Sequence, residues 1–547
     1  MRRPLLACVL LFAVYVGLSF ANNTHGTLGT DTGGKVATLR TMESRGNLDP
    51  DVGYWAARWD PNGELHPLFY ATHIAGKWVN VTTLPVLYLA EPLYRAGGYR
   101  LALVLPMLGS VLAALAARAL ARRLGTHGWL AFVVVGLLSP LAIYALDFWE
   151  HSIGVALMAW AVVLLVDIDG DGAGRKWPRA LGAGLLFGAA ATMRTEALVY
   201  GAVATAAVCL VLLGRVRRLG PPVGVGLVVA AGLFLPLAGN FALEKATVGG
   251  TIRAARTSGT VAEAGSGARL RLQEGLLTAV GLYPEVSWKS VAVGGALLLL
   301  VVFAVRTVAR GRDPGPAVVS GAGAAGLVAA RFSAGVGFIP GMTAASPVAG
   351  VGLADGWSGT TGRLLVAIAL VALPIVWAFQ FLGGAYAQWG GRYVLMSGFL
   401  LTVVGAAALE RMPRPAAVGA LALAAAVTAF GLVWMSSRTH DVARAEATLY
   451  RRRDPVLISR VAHLAREGGA YYSYGGRPWL TAVTEQEQQA AVDVVRRAGA
   501  PGFAVVDDGT GRSPSFAGFA PSDVSHVEFL GLRLRITSYR AEALPQR

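Results

Sequence analysis

Long apolar runs alternate with short polar stretches along most of the chain. Many of these runs are long enough to cross roughly 30 Å of hydrocarbon as an α-helix. Their pattern predicts about thirteen transmembrane helices, at residues 4–21, 101–121, 129–145, 152–167, 180–193, 197–213, 222–239, 291–309, 316–333, 337–353, 364–382, 393–409 and 414–435. The predicted fold is therefore mainly α, a polytopic helix bundle in the plasma membrane.

The polar stretches predict how the chain crosses the bilayer. Arg2 and Arg3 precede the first run, which predicts a cytoplasmic amino end because positive charge is retained on that side. Residues from 22 onward then lie outside, and they do so also if the first run is cleaved as a signal peptide. Counting helices puts the segments 22–100, 240–290 and 437–547 outside. The basic run Arg451 to Arg453, close to the last helix, argues against an outer tail.

Two domains are expected. Residues 1–436 form a transmembrane domain, and its first outer loop, 22–100, alternates charged with aromatic residues, which is typical of helices lying in the interface. Residues 437–547 are expected to form a small extracytoplasmic α/β domain. Their pattern predicts helices at 454–467 and 485–498, and strands at 470–474, 502–506 and 532–539.

Composition narrows the class further. Of 547 residues, 54% are hydrophobic and only 15% are charged. The net charge of +16 lies largely in short loops, where arginines orient helices and meet anionic lipid, so no nucleic-acid partner is predicted. Cys8 and Cys209 lie in apolar runs and match no metal-binding spacing. The sequence contains no Walker loop and no dinucleotide-binding fingerprint.

The first candidate for chemistry is Asp31, in a glycine-rich stretch about ten residues beyond the first run. Lys35 follows it at helical spacing, so Asp31 has two interpretations. It is either the amino-terminal cap of an interfacial helix or a carboxylate at the mouth of the bundle that takes a proton from an acceptor hydroxyl.

The second candidate is the cluster Asp147, Glu150 and His151, between two apolar runs. Three ionisable groups within five residues at a helix junction are costly to bury without a role. Asp147 and His151 are four apart, as metal ligands on one helix face are, so a divalent metal is an open alternative. The structural alternative is a helix start capped by Asp147, with Glu150 favouring the helix dipole.

Two arginines interrupt apolar sequence on the predicted outer side. Arg194 and Arg392 can each donate paired N–H hydrogen bonds to phosphate oxygens. Alternatively, their side chains simply extend to the membrane–water interface. Glu196 is a plausible ion-pair partner of Arg194. His66, His73 and Lys77 are too far apart to predict a site, and solvated interfacial residues are expected there.

Together these features resemble the C-type (GT-C) glycosyltransferases, among them protein O-mannosyltransferases and lipid A aminoarabinose transferases. The resemblance rests on Asp31 in the first outer loop, the acidic cluster after the third helix, Gly390-Gly391-Arg392-Tyr393 before a late helix, and an outer carboxy-terminal domain. It covers residues 1–435. It implies a cell-envelope enzyme that moves a hexosyl or pentosyl group from a polyprenyl-phosphate donor to an extracytoplasmic glycan, lipid or protein acceptor.

The resemblance also implies residue roles. Asp31 matches the catalytic carboxylate of the first loop, acting as general base or positioning the acceptor. Many members carry a paired acidic motif there, whereas Asp31 is flanked by Thr30 and Thr32, so metal dependence and the identity of the base stay open. The predicted catalytic residues are Asp31, Asp147, Glu150 and His151, and the predicted substrate-binding residues are Lys35, Arg194, Arg392 and Tyr393.

Two alternatives belong to other classes. A transporter or flippase for a lipid-linked substrate would have related halves and charges near the bilayer midplane, whereas the charges here cluster at helix ends. A non-catalytic membrane partner would tolerate alanine at Asp31 and Asp147. High Ala, Gly and Arg content suggests a GC-rich bacterial source, and the sequence names neither the sugar nor the acceptor.

Overall fold

The computed structural model describes residues 2–68, 70–169, 173–252, 268–282, 288–311, 315–332, 340–379, 389–510 and 513–542. The described helices are α1 Arg2–Ser19, α2 Thr30–Arg45, α3 Leu84–Ala102, α4 Val104–Arg123, α5 Trp129–Leu137, α6 Pro140–Tyr144, α7 His151–Val166, α8 Ala173–Met193, α9 Glu196–Val216, α10 Gly220–Val248, α11 Ala268–Val280, α12 Trp288–Ala309, α13 Gly315–Phe332, α14 Met342–Ala345, α15 Pro347–Asp355, α16 Gly359–Phe379, α17 Leu395–Leu409, α18 Arg414–Tyr450, α19 Leu464–Glu467 and α20 Glu485–Arg497. The strands are β1 Ala71–Ile74, β2 Lys77–Asn80, β3 Leu457–Ser459, β4 Trp479–Thr481, β5 Gly502–Asp507, β6 Phe519–Phe529 and β7 Leu532–Ala541.

The chain divides into two compact units that interleave along the sequence. The first, the helical unit, comprises residues 1–19, 103–242 and 257–434. The second, the loop–tail unit, comprises residues 20–102, 243–256 and 435–547. The first outer loop and the carboxy-terminal tail therefore belong to one folded unit.

The protein is mainly helical, and each predicted membrane run falls on one or more described helices. Seven helical stretches in the described part of the chain are long and apolar enough to cross a membrane: α4, α9, α10, α12, α16, Arg392–Leu409 and α18. Shorter apolar helices lie at Arg3–Ser19, His151–Val166 and Val319–Val328. The predicted count of about thirteen crossings is not confirmed.

Some predicted spans are interrupted. The run 129–145 breaks at Ser139, which caps α6 by accepting a hydrogen bond from the backbone N–H of Leu141, with Pro140 starting the helix. Residues 333–339, at the junction of the predicted pair 316–333 and 337–353, lie outside the described residues. Residues 253–267 and 283–287 of the second outer segment also lie outside them.

Small residues bring helices of the helical unit close together. A Cβ added to Gly352 of α15 would lie 2.1 Å from the carbonyl oxygen of Leu401 in α17, and one on Gly405 would lie 2.0 Å from that of Val348. Such contacts are how helices pack tightly in lipid. Other helices expose large apolar side chains, such as Leu299 in α12. That outer surface suits contact with hydrocarbon.

The loop–tail unit contains a five-stranded mixed sheet in the order β4-β3-β5-β7-β6. β3 pairs in parallel with β4 and β5, whereas β7 is antiparallel to β5 and β6. The helix α20 begins with a capping box, in which the Thr484 hydroxyl accepts from the Glu487 N–H and the Glu487 side chain returns to the Thr484 N–H. The small carboxy-terminal sheet domain predicted from the sequence is confirmed.

The first outer loop and the tail share one hydrophobic core. Buried apolar residues from both parts of the chain form this core, among them Val52, Tyr54, Trp78, Ile458, Leu480, Val492 and Phe503. Backbone hydrogen bonds join the same parts: Trp55 N–H donates to Gly475 O at 3.1 Å, and Gly475 N–H donates to Val52 O at 2.9 Å. Segments more than 400 residues apart in sequence thus fold as one body.

The tail corrects two local predictions. The predicted helices at 485–498 and strands at 502–506 and 532–539 correspond to α20, β5 and β7. The predicted helix at 454–467 is instead the buried strand β3 followed by the short α19, and the predicted strand at 470–474 begins with a 3₁₀ turn at Gly469–Tyr471. At 454–467 tertiary pairing overrides local preference, since β3 pairs on both sides.

His66 is buried, which corrects the prediction of a solvated residue. Its Nε2–H faces Gly53 O at 3.2 Å, and its Nδ1 accepts the Leu68 N–H at 3.1 Å. Its ring stacks on Trp78, with centroids 5.2 Å apart. Burial lowers the pKa of His66 to about 4, although the hydrogen bond to the carbonyl oxygen of Gly53 opposes that shift.

Because the first loop and the tail share a core, both must face the same side of the membrane. We expect Asn62→Cys and Gln489→Cys, both at exposed positions, to react alike with a membrane-impermeant maleimide in intact cells. The labelling is measured after Cys8 and Cys209 have been replaced by serine. Labelling of one position with protection of the other would contradict the shared core.

The neutral state of buried His66 predicts a pH dependence of stability. Between pH 6.5 and 4 the unfolded chain binds a proton at His66 that the folded chain does not, so the free energy of unfolding falls as pH falls. The loss is at most about 3 kcal/mol. Thermal unfolding in detergent, followed by tryptophan fluorescence at pH 7, 5 and 4, measures it. His66→Gln should show a weaker dependence, and an unchanged one would refute this cause.

Candidate functional site

Asp31 lies in the first turn of α2, in the loop–tail unit. The helix starts one residue earlier and its cap is Gly29, which has no side chain to bond with, so the interpretation of Asp31 as the cap is wrong. A carboxylate in the first turn is still favoured by the helix dipole. Its side chain is 32% exposed, while Thr32 to Leu39 are buried. Asp31 is thus the accessible ionisable group at a buried helix start.

Arg466 from the tail approaches Asp31. Its Nη2 lies 3.9 Å from Asp31 Oδ1, and its side chain is only 1% exposed. Its Nε–H donates to Thr30 O at 2.9 Å, and Nη2 donates to Val81 O at 3.4 Å. A buried cation therefore stands beside the carboxylate, held by backbone of the first loop.

Glycines allow this approach. A Cβ on Gly33 would lie 1.8 Å from Arg466 O, and a Cβ on Gly469 would lie 1.8 Å from Gly33 O. A Cβ on Gly34 would lie 2.9 Å from Arg466 Nε. No side chain fits between α2 and residues 466–469, so the glycine-rich stretch around Asp31 serves close packing.

Lys35 lies one turn after Asp31 on the same face of α2, as its spacing predicted. It is 2% exposed. Burial of the whole side chain argues against a role at the surface of the site and favours one inside the loop–tail unit.

The helical unit contains a second group of predicted residues, which we call the arginine cluster: Glu150, Arg194, Glu196, Arg392 and Tyr393. Arg194 lies between α8 and α9 and is buried. Its Nε–H donates to Glu196 Oε1 at 2.8 Å, and its Nη1 donates to Glu150 Oε1 at 3.3 Å. The predicted pairing of Arg194 with Glu196 is confirmed, and Glu150 is a second partner.

Tyr393 connects the two arginines. The Arg194 guanidinium lies 5.1 Å from the Tyr393 ring centroid, and that of Arg392 lies 4.5 Å from it. Arg392 Nη2 also donates to Tyr393 Oη at 2.6 Å. Arg392 and Tyr393 form a 3₁₀ turn immediately before α17, so the cluster joins the ends of α7, α8, α9 and α17.

Asp147 and His151 lie near this cluster in an aromatic environment. Both are buried, and His151 stacks on Tyr144 with centroids 5.0 Å apart. Tyr144 Oη donates to Trp389 O at 2.9 Å. The helix α7 starts at His151, so Asp147 precedes it and the two do not share a helix face. The N-cap residue of α7 is Glu150, which makes no side-chain cap hydrogen bond, so the structural alternative with Asp147 as the cap and Glu150 in the first turn is wrong.

Metal binding finds no geometric support in the part of the chain that the structure describes. No group of three or more His, Cys, Asp or Glu side chains there is arranged to hold an ion. Two of the three predicted carboxylates face arginines: Asp31 faces Arg466, and Glu150 faces Arg194.

The predicted residues thus fall into two groups. Glu150, Arg194, Arg392 and Tyr393 are joined in the helical unit, whereas Asp31 belongs to the loop–tail unit. Lys35 accompanies Asp31, and Asp147 and His151 lie in the helical unit. That Asp31 and Asp147 share one crevice stays a prediction.

Sequence reasoning missed Arg466. Its partners lie more than 380 positions away, so no local pattern indicates it. A signal does exist in the paired glycines, Gly33-Gly34 and Gly468-Gly469, because two double glycines in segments rich in helical residues suggest two backbones in contact.

A cavity of about 380 Å³ lies elsewhere in the helical unit, lined among others by Arg123, Gly359, Thr360 and Arg411. Arg123 is already paired with Asp167 there. None of the predicted site residues lines this cavity, so it does not mark the site described above.

Comparison with protein-family models and with curated protein sequences gives no match. Solved structures do match. The apo oligosaccharyltransferase of Archaeoglobus fulgidus is 12% identical, with a TM-score of 0.46, over 92% of this chain and 69% of that chain. The archaeal oligosaccharyltransferase AglB from Archaeoglobus fulgidus, in complex with an inhibitory peptide and a dolichol-phosphate, is 12% identical, with a TM-score of 0.43 and the same coverage.

ArnT from Cupriavidus metallidurans, bound to undecaprenyl phosphate, is 12% identical, with a TM-score of 0.36 and coverage of 97% of both chains. These neighbours are of the class that the sequence resembles, and the likeness carries no further conclusion for this chain. Because the TM-scores are below 0.5, no residue role in this chain follows from them.

The arginine cluster predicts a strong effect of removing its cation. In Arg194→Met, the carboxylates of Glu150 and Glu196 lose their buried partner, and we expect a destabilisation of about 3 to 5 kcal/mol. Thermal unfolding in detergent measures this. Adding Glu150→Gln and Glu196→Gln to Arg194→Met should recover much of the loss, because no buried charge then lacks a partner.

The matched control is Arg218→Met, an exposed arginine of the same unit, which should unfold like the wild type. Equal stability of Arg194→Met and Arg218→Met would contradict the role assigned to Arg194 in holding the cluster.

Proposed function

We propose that the protein is a membrane glycosyltransferase that moves a hexosyl or pentosyl group from a polyprenyl-phosphate donor to an extracytoplasmic acceptor. Asp31 acts as the general base or as the carboxylate that positions the acceptor. In the reaction, the acceptor hydroxyl oxygen bonds to the anomeric carbon, its proton passes to Asp31, and the bond from that carbon to the phosphate oxygen breaks. Polyprenyl phosphate leaves with the electron pair.

The environment of Asp31 is the observation that carries the proposal. A carboxylate that must take a proton from a hydroxyl has to be reachable and correctly oriented. Asp31 is about one-third exposed at the start of an otherwise buried helix, beside the buried guanidinium of Arg466. Structural ion pairs in the same unit differ, since Asp507, paired with Arg535 at 2.9 Å, is 1% exposed and offers no access.

The arginine cluster supports a site for the departing phosphate. Guanidinium groups bind phosphate oxygens through paired N–H donors. Two of them, of Arg194 and Arg392, flank the ring of Tyr393 at helix ends. Nη2 of Arg194 is buried and has no hydrogen-bond partner among the described residues, so a donor is left over for a ligand.

The membrane setting supports a lipid-borne donor. A polyprenyl chain has to stay in hydrocarbon while its phosphosugar meets polar groups at the surface. Seven helical stretches among the described residues suit that setting, and the polar residues of both groups lie at helix ends.

The tail and the first loop fold together, which supports an outer location for both. Their shared core requires one side of the membrane, and Arg2 and Arg3 favour a cytoplasmic amino end. We therefore infer that the loop–tail unit is extracytoplasmic. The basic run at 451–453 does not prevent this, because long folded segments translocate despite their charge.

Replacement of the carboxylate by its amide tests the proposal. Membranes containing the protein are supplied with polyprenyl-phosphate mannose or arabinose, each carrying a radiolabelled sugar, and the labelled products are counted. Asp31→Asn keeps the shape of the side chain but cannot take a proton. We expect transfer to fall by about 10² to 10⁴-fold.

Glu43→Gln is the matched control, since Glu43 is an exposed carboxylate on the same helix. It should transfer sugar like the wild type. Full activity of Asp31→Asn would remove Asp31 from the mechanism. Movement of the lipid-linked sugar across the bilayer without any transfer would favour the flippase instead.

A further inference from the structure

We propose that Arg466 is a positioning residue for Asp31, so that the carboxy-terminal tail supplies part of the reaction centre. This inference rests on the proposed function. It assigns to the tail a specific task that the fold of a small α/β domain does not by itself indicate.

The guanidinium of Arg466 is held independently of Asp31. Its donors reach two backbone carbonyls of the first loop, Thr30 O at 2.9 Å and Val81 O at 3.4 Å. The Tyr70 ring centroid lies 5.5 Å from its Cζ. Because the two acceptors are backbone atoms, the cation keeps its place whatever side chain occupies position 31.

The path of the Arg466 side chain is confined as well. It crosses Gly34, where an added Cβ would lie 2.9 Å from Nε and 3.1 Å from Nη2. The backbone of Arg466 itself touches Gly33. An arginine enclosed in this way, with a 1% exposed side chain, has little freedom to rotate.

The separation from Asp31 suits positioning. At 3.9 Å, Nη2 and Oδ1 form an ion pair that is too long for a hydrogen bond. The pair restrains the charged carboxylate, yet it does not use an oxygen lone pair on Asp31 for a guanidinium hydrogen. Arg466 therefore restrains Asp31 through its charge alone, and the guanidinium stays protonated throughout.

Transfer kinetics provide the first test. With radiolabelled polyprenyl-phosphate mannose or arabinose as donor, Arg466→Gln should lower kcat by about 10 to 100-fold with little change in the donor KM, because misplacing a reacting group slows the chemical step. Arg466→Lys keeps the positive charge but loses the planar guanidinium with its several N–H donors. It should recover part of the rate.

The matched control is Arg438→Gln. Arg438 is also a largely buried arginine that binds the first loop, through Leu28 O at 2.7 Å, and it pairs with Glu467. Its loss removes comparable contacts within the loop–tail unit but none to Asp31. It should lower the unfolding temperature and leave kcat unchanged.

A second measurement needs no activity. With Cys8 and Cys209 replaced by serine, Asp31→Cys is treated with an anionic and with a cationic methanethiosulfonate reagent. The fixed cation of Arg466 should favour the anionic reagent. Adding Arg466→Gln should lower the ratio of the two rates by roughly tenfold, since the reagents differ by two charges. Adding Arg438→Gln should leave it unchanged.

The outcomes separate the two proposals. Wild-type kcat in Arg466→Gln, with activity lost in Asp31→Asn, overturns this inference alone. Full transfer by Asp31→Asn overturns the proposed function and this inference together. An unchanged reagent ratio in the absence of Arg466 also overturns the inference, because the Arg466 cation then has no effect on position 31.

Discussion

Close contact between two backbones, at Gly33 and Gly469, is the constraint on which the loop–tail unit depends. A Cβ at either position would lie 1.8 Å from a carbonyl oxygen of the other segment. No other residue type permits this approach without displacing a backbone. It sets the start of α2 against the segment after α19 and so brings Arg466 beside Asp31. The candidate chemistry at Asp31 therefore depends on contacts between the first outer loop and the carboxy-terminal tail.

The protein handles its buried charges in two ways. In the helical unit, Arg194 is enclosed with two carboxylates, Glu150 and Glu196, and the attraction between them offsets part of the cost of removing these charges from water. In the loop–tail unit, the cation is buried but the carboxylate of Asp31 is partly exposed. The first arrangement encloses charges of both signs together, whereas the second leaves a carboxylate accessible beside an enclosed cation.

Hydropathy predicted the helical regions well, because a long apolar run has few other structures in a membrane. It did not predict where helices break, since the stop at Ser139 depends on a local cap. In the tail, the capping box of α20 and the alternating strands β5 and β7 follow local rules. The buried strand β3 does not, because its pairing partners are distant in sequence.

The candidate site was predictable to a similar extent. Glu150, Arg194, Arg392 and Tyr393 were each indicated by polar residues interrupting apolar sequence, and the structure joins them. Arg466 had no such signal, because charged residues are common in the tail. His66 was judged solvated, yet the aromatic residues around it, Tyr54 and Trp78, enclose it. Packing that a single sequence does not display decided both, between distant segments for Arg466 and within the first outer loop for His66.

Hydrogen–deuterium exchange on Gly33→Ala tests the central claim that the first loop and the tail are one unit joined through α2. The added methyl group should lower amide protection together in Thr30–Arg45, in the segment 464–472 and in β5, whereas Gly419→Ala, whose Cβ meets open space, should change none of them. Loss of protection confined to α2, with the tail unchanged, would contradict the account.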